Sequence, residues 1–580
     1  MLSPVVTMRA LAPLFLALLV GAGCATTRGM SPEAAHAAFS KLVDDFFVKE
    51  FTFNPVDATN AGLHHYDAEL EAWTQTRIQA RVAELEELLN RATALWTERT
   101  ALNTDDLIDL ELLDGRIRAE LLDWNILRFT ARNPMTYAGR PGNAIDPLMK
   151  RNFAPPKERL KSIIARLEKV PAVYAAARGN VTDPPKEWTG LAIGQAHGTE
   201  SYLKETVATW AKEAAGDDPI LWADFQRANI TAIAATQDLE YWLTKNILPK
   251  STGTWAIGPR AYVTMLKQAE FISTPLEELL AQGEAQLQKD RLLFLETAKD
   301  IDSTRTPEEV FASLATEHPS ARELLPYARQ TLEQVREFVV RKDLVTFPSE
   351  VRPRVEETPV FLRIGTYASM DTPGPYETHA KEAFYYITPP ELNWDSKHLE
   401  EHLREFNTSM LPLIHVHEAY PGHFVQFLWA PKFPTKVRKL LATNSNVEGW
   451  AHYTEEMVIE EGFADDNPKY RLAQLEEALL RDCRYVVGIG LHTTTMSVEQ
   501  GAQRFVKECF QNPSVAYDEA RRGTFDPTYL YYTAGKLMIL ELRKDYLSQK
   551  GGTLKQFHDA FLSKGPLPIP LVRKLMLKEP

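Results

Sequence analysis

From Ser31 to about Trp124, apolar residues recur at three- and four-residue intervals among charges. Arg81-Val82-Ala83-Glu84-Leu85-Glu86-Glu87-Leu88-Leu89 is representative, and this is the spacing of amphipathic helices. The same period returns at Glu158–Val170, Thr189–Ala215, Leu221–Asn246, Pro275–Lys299, Pro307–Ala315 and Ala321–Arg341. Thr274 stands where the helix beginning at Pro275 would take a side-chain cap. Residues 132–155 break the pattern with prolines and glycines and predict an ordered connection with short helical pieces. Helical spacing resumes at Leu472–Gly490 and Tyr529–Leu542, and Gly565–Lys578 predicts short, proline-interrupted structure. Only Pro359–Thr388 reads differently. Val360–Ile364 and Ala383–Ile387 are rich in β-branched and aromatic residues around the turn-forming Asp371-Thr372-Pro373-Gly374-Pro375. The expectation is a mainly α fold with a small β-sheet, able either to lend an edge strand to an extended peptide or to act as a buttress.

That sheet leads into the segment with the most chemistry, His415-Val416-His417-Glu418-Ala419-Tyr420-Pro421-Gly422-His423. It is followed by Val447-Glu448-Gly449-Trp450-Ala451-His452-Tyr453. His417, His423 and Glu448 make a three-ligand set suited to zinc, with Glu418 as general base. The spacing is irregular: His423 is at i+6 from His417, roughly 120° around a regular helix. Pro421-Gly422 answers this, because proline breaks the helical hydrogen-bond ladder and glycine accepts unusual backbone conformations. The pair predicts a kink that swings His423 back toward His417. His415, two residues before His417, points elsewhere. His452 shares the face of Glu448 at i+4 and is expected to orient it or to hold substrate.

A chain of 580 residues with 44% hydrophobic and 25% charged residues has the composition of an ordinary soluble protein. Its net charge of −13, without a basic cluster, argues against nucleic acid. Residues 1–24 have the outline of a signal peptide: Arg9, an apolar run over residues 10–20, and Gly21-Ala22-Gly23-Cys24, similar to a bacterial lipobox. Cys24 is the candidate lipidation site, and Ala25 lacks the aspartate associated with inner-membrane retention. This predicts a cell-envelope protein on the periplasmic side, lipid-anchored to the outer membrane, with plain secretion as the alternative. The apolar run is too short for a comfortable span, so the anchor would be the only membrane contact. Cys483 and Cys509 remain, able to pair in an oxidising compartment. The expected organisation is a helical region over 25–345 and a metal-site region over 346–580, packed as one continuous helical domain.

Several segments in order carry a resemblance. They are Phe-Asn-Pro-Val-Asp-Ala-Thr-Asn-Ala-Gly-Leu-His-His-Tyr-Asp at 53–67, Arg-Leu-Lys-Ser-Ile-Ile-Ala-Arg-Leu-Glu-Lys-Val-Pro from Arg159, His-Glu-Ala-Tyr-Pro-Gly-His, Glu-Gly-Trp-Ala-His-Tyr-Thr-Glu-Glu-Met, Gly-Leu-His at 490–492 and Tyr-Tyr-Thr-Ala-Gly-Lys at 531–536. From about Glu33 to the end the chain resembles the bacterial domain-of-unknown-function 885 family, helical zincin-like proteins that are often lipoproteins. The resemblance implies a large helical gluzincin-like scaffold, similar to helical carboxypeptidases and oligopeptidases that hold their site in a deep cleft. It implies His417, His423 and Glu448 as ligands and Glu418 as base. This chain departs from the family in having Phe424 where a second histidine is common, and Gly488 where an aspartate often stands.

The function so predicted is zinc-dependent hydrolysis of peptide bonds with one Zn2+ ion, of carboxypeptidase or oligopeptidase type. His492 and Tyr532 are candidates for stabilising the oxyanion, and Arg484 is a candidate for a substrate carboxylate. Manganese or cobalt in the same ligand set, a non-peptide amide substrate, and a catalytically silent zincin-fold lipoprotein that binds peptides or envelope partners are the alternatives.

Overall fold

The computed structural model describes residues 29–363, 366–391 and 394–578. Cys24 and the rest of the leader lie outside these residues. The first helix, α1 (Pro32–Phe53), shows how the pattern becomes structure. Ser31 caps it by accepting from the Ala34 N–H, Pro32 opens it, and Ala35, Phe39, Leu42, Val43 and Phe46 form its buried stripe. Helices α2 (Pro156–Asn180), α3 (Lys186–Tyr202) and α4 (Pro219–Trp242) pack together around Leu160, Ile163, Leu167, Ala192, Ala196 and Phe225. Helix α5 (Leu276–Ile301) begins one residue later than its pattern predicts. Its N-cap is Pro275, which offers no side-chain bond, so Thr274 does not cap it; Glu277 and Glu278 supply negative charge in the first turn instead. Helix α6 (Leu324–Arg341) follows.

The sheet has three strands, β1 (Pro353–Glu357), β2 (Ala368–Asp371) and β3 (Ala383–Ile387), in the order β1-β3-β2. β3 pairs parallel to β1 and antiparallel to β2, and all five of its residues are buried. The Ala383–Ile387 strand is where the sequence places it, but Val360–Leu362 forms a 3-10 turn. Pro359 starts that turn, and its carbonyl accepts from the Leu362 N–H at 2.8 Å, which closes the turn before a strand can form.

Beyond the sheet run α7 (Leu411–Glu418), α8 (His423–Leu428), α9 (Asn444–Glu460), α10 (Pro468–Thr493), α11 (Val498–Cys509), α12 (Pro513–Phe525) and α13 (Tyr531–Lys550). Leu279, Leu287 and Phe294 of α5 share a core with Leu472, Leu475 and Leu479 of α10. A disulfide between Cys483 and Cys509 ties α10 to α11. Residues from Ala35 to Leu577 meet in one apolar core, which includes β3, α7 and α9, so N- and C-terminal segments jointly support the sheet and the histidine-bearing helices. No described helix is long and apolar enough to cross a membrane.

Candidate metal centre

Helix α7 ends at Glu418, and the break that follows is tightly tied. The N–H groups of Ala419 and Tyr420 both donate to the His415 carbonyl, at 2.8 and 3.0 Å, and that of Gly422 donates to the Val416 carbonyl at 3.0 Å. The Pro421 carbonyl accepts from the Trp450 indole at 3.0 Å. The chain then folds back so closely that a Cβ at Gly422 would lie 1.8 Å from the His417 carbonyl oxygen. Only glycine allows this approach. The fold-back brings the rings of His417 and His423 to 4.8 Å between centroids, at 86° to each other.

Helix α9 supplies the carboxylate. Its N-cap, Thr443, makes no side-chain bond to the helix start, its hydroxyl donating instead to the Pro566 carbonyl; the buried Glu270 accepts from the N–H groups of Asn444 and Ser445, both at 3.0 Å, and anchors the helix start from outside. Further along, Gly449 meets Gly535 of α13 so closely that a Cβ at Gly535 would lie 2.0 Å from the Ser445 carbonyl. The two glycines let α9 and α13 touch backbone to backbone, and this brings Tyr532 beside the Glu448 side of the site.

His417 Nε2 and His423 Nε2 lie 3.6 and 3.5 Å from the same oxygen, Glu448 Oε2. A charge-assisted N–H···O bond would be about 2.7–2.9 Å. Ligand atoms about 2.0–2.2 Å from one tetrahedral ion stand roughly 3.3–3.5 Å apart. The observed spacings fit shared coordination better than direct hydrogen bonding, and all three ligand atoms lie within 4.8 Å of one another. Burial disfavours a charged His417, yet the neighbouring carboxylates of Glu448 and Glu455 outweigh burial and raise its pKa to about 9. Burial likewise opposes ionisation of Glu448, but His423 and His417 hold its carboxyl well below the usual range. Two carboxylates thus face the His417 imidazole, and a cation bound at Nε2 would take the place of the proton they hold there.

Glu455 is the residue that motif reading missed. Its Oε1 lies 2.6 Å from His417 Nδ1 and its Oε2 3.2 Å from His452 Nδ1, with Arg481 Nη2 at 3.5 Å. A carboxylate on the far nitrogen of a ligating imidazole fixes the tautomer that leaves Nε2 as donor to a metal. The signal was present in the sequence, since Glu455 follows Glu448 by seven residues, two helical turns along the same face.

His417, His423, Glu448, Glu418, Arg484 and Tyr532 all line one cavity of about 700 Å³. Glu418 has no hydrogen-bond or ion-pair partner among the described residues, so its carboxylate faces the cavity unneutralised. Arg484 is committed to Glu519 through two bonds of 2.7 and 2.8 Å. Tyr532 lies under that guanidinium, 5.2 Å from ring centroid to carbon, with its hydroxyl 3.4 Å from Arg522. His452 and His492 are placed elsewhere. His452 is fully buried behind the ligands and reaches Glu455, not Glu448 or the cavity. His492 is fully buried against Tyr262 and bonds the Gly523 carbonyl at 2.8 Å. Burial lowers the pKa of each to about 4, so both are neutral packing histidines at physiological pH. His415 also points away, held between Thr331 of α6 and Tyr385 of β3 at 2.8 Å each.

Together these features define a mainly α-helical protein with a buried two-histidine, one-carboxylate cluster opening on a polar cavity. The chain matches, over residues 55–576, the family described as bacterial protein of unknown function (DUF885), and it belongs to that family. Its structure is similar to that of a candidate lipoprotein of unknown function from Shewanella oneidensis, at 26% identity and a TM-score of 0.76, covering 94% of this chain and all of the other. It shares its fold with a candidate lipoprotein from Colwellia psychrerythraea, at 18% identity and a TM-score of 0.78, covering 95% and 99%. No curated protein matches the chain.

Proposed function

We propose that this protein is a zinc-dependent, metallopeptidase-like hydrolase of the cell envelope, tethered by lipid at Cys24. The observation that carries the reading is the pair of 3.5–3.6 Å spacings from two imidazole nitrogens to one carboxylate oxygen, beside an unpaired glutamate. Ligand types that combine two imidazoles with a carboxylate favour zinc over calcium or magnesium. A zinc ion held there supplies a Lewis acid that lowers the pKa of water and polarises a carbonyl. Glu418 accepts the proton of the attacking water and returns it to the leaving amine. Tyr532 donates a hydrogen bond from its hydroxyl to the developing oxyanion and keeps its proton. Glu455 keeps His417 oriented throughout. Support for a peptide comes from β2, an edge strand whose Ala368, Ser369 and Met370 line the cavity, where an extended chain can add as a further strand. Support for the envelope comes from the leader ending at Cys24, from the Cys483–Cys509 disulfide, and from the description of the Shewanella relative as a candidate lipoprotein.

Elemental analysis of the purified protein, together with digestion of a peptide library, tests this. The expected result is one zinc per chain and cleavage abolished by a chelator. Glu418→Gln should keep the zinc and lose about 10²–10⁴-fold in turnover. Full activity in that variant refutes the base, and zinc without cleavage of any peptide refutes the peptidase.

A further inference from the structure

The cavity is lined by four guanidinium groups, which are unequally occupied. Arg484 is bidentate with Glu519, and Arg481 is paired with Glu477. On α12 the situation differs. The nearest carboxylate to Arg522 is Asp526 at 4.0 Å, and its remaining polar neighbour is the Tyr532 hydroxyl. Arg521, whose Nη2 sits against Gly190 of α3, makes no ion pair among the described residues. Asp518, Arg521, Arg522 and Phe525 fall at i, i+3, i+4 and i+7, so they form one face of α12, and all four line the cavity. Asp518 is the only acid on that face and makes no ion pair with either arginine, and Asp526 reaches Arg522 only at 4.0 Å, so neither guanidinium has a close carboxylate partner. Glu519 does not supply one because Arg484 and the Tyr529 hydroxyl hold it.

Half-buried guanidinium groups in a cavity wall normally find a carboxylate or phosphate, because the planar fork is costly to leave unmatched. This pair is linked to the metal centre by a single side chain, Tyr532, which touches Arg522 and lines the same wall as Glu448. We infer that Arg521 and Arg522 receive the terminal carboxylate of a peptide, so that the protein removes short fragments from C-terminal ends and does not cut within long chains. This rests on the peptidase reading above and names its substrate class. It also moves the carboxylate-binding role from Arg484, which Glu519 already neutralises, to the next two arginines along the cavity wall.

The test is a binding measurement that does not depend on turnover. Zinc-loaded protein carrying Glu418→Gln is titrated with short N-acetylated peptides, each made both as a C-terminal acid and as a C-terminal amide. The acids should bind at least about tenfold more tightly than the amides, the worth of one lost charge-assisted hydrogen-bond pair. Adding Arg521→Gln or Arg522→Gln should erase that difference while leaving the melting temperature and zinc content in place. Equal binding of acid and amide, absence of binding by the acids, or amides with an internal aspartate or glutamate binding as well as the acids each overturn the terminal-carboxylate inference. If the unsubstituted enzyme cleaves the amides as fast as the acids, the inference fails while the peptidase reading stands. If it binds the acids preferentially but cleaves nothing, the peptidase reading fails and the carboxylate site remains.

Discussion

His417 and Glu455 share a hydrogen bond of 2.6 Å, made by the ring nitrogen that faces away from His423 and Glu448. Two opposed contacts therefore fix one imidazole. Glu455 sets its tautomer and plane, and the other nitrogen is left for the cluster. Glu455→Gln should weaken zinc binding by about 10–100-fold, the usual cost of losing such an orienting carboxylate. Competition with a chelator of known affinity measures this. Unchanged affinity would show that Glu455 serves only to neutralise Arg481 and to bond the His452 ring.

Gly422 decides whether His423 can return to His417. A methyl group there would meet the carbonyl oxygens of His417 and Val416 at 1.8 and 2.4 Å, and the second of these is the acceptor of the Gly422 N–H itself. Gly422→Ala must open the fold-back. Zinc stoichiometry should fall well below that of the parent, and stability should drop by about 1–3 kcal/mol, as in other overpacked sites. Metal analysis beside a denaturant titration reads both, and a variant that folds with full zinc would disprove the steric argument.

Glu476 of α10 is buried, and its carboxyl accepts a bond from Gln511. Burial raises its pKa to about 7, against the opposing influences of Gln511, Arg481 and Arg484. In the unfolded chain the group titrates near 4.5. The folded state thus holds the proton more tightly, and its advantage is complete below about pH 4.5 and lost as pH rises through 7. Glu476→Gln should flatten that decline, by on the order of 2 kcal/mol between pH 5 and 8. Melting curves across this range compare the two proteins, and identical slopes would remove Glu476 as the cause.

The helical pattern was legible because most of these helices are amphipathic in the simplest way, as α1 is with its stripe from Ala35 to Phe46. The fold-back that returns His423 to His417 was legible too, because Pro421-Gly422 is a pair that breaks a helix and permits a close backbone approach. What escaped was set by long-range contact. Val360–Leu362 has strand-like residues, but Pro359 starts a local turn that decides its structure. His452 shares a face with Glu448 on paper, yet it falls on the buried side, where Glu455 takes it. The partner of Arg484 lies 35 residues further along on α12, and no spacing rule announces it. The weakly partnered Arg521 and Arg522 beside it stand out only once Glu519 has been assigned to Arg484.

Tyr532 and His492 looked equivalent in sequence, each a polar ring following an apolar helical run, and the structure separates them. The Tyr532 ring lies in the cavity wall, and burial followed by the charge of Glu448 raises its pKa, so the hydroxyl keeps its proton and can donate it as a hydrogen bond. Tyr532→Phe removes that donor with almost no change in volume, so kcat should fall about 10²–10³-fold with little change in KM, as for other oxyanion donors. His492 instead bonds the Gly523 carbonyl, while its own carbonyl accepts from the Gly258 N–H, so it joins α10 to α12 and to the loop before Pro259. His492→Gln should cost about 1–3 kcal/mol of stability, as expected for a disturbed buried hydrogen bond, and leave kcat near that of the parent at temperatures where the variant is folded. Steady-state kinetics and melting curves on both variants give four numbers. A fall in kcat for the His492 variant without loss of stability, or full kcat for the Tyr532 variant, would reverse the assignment.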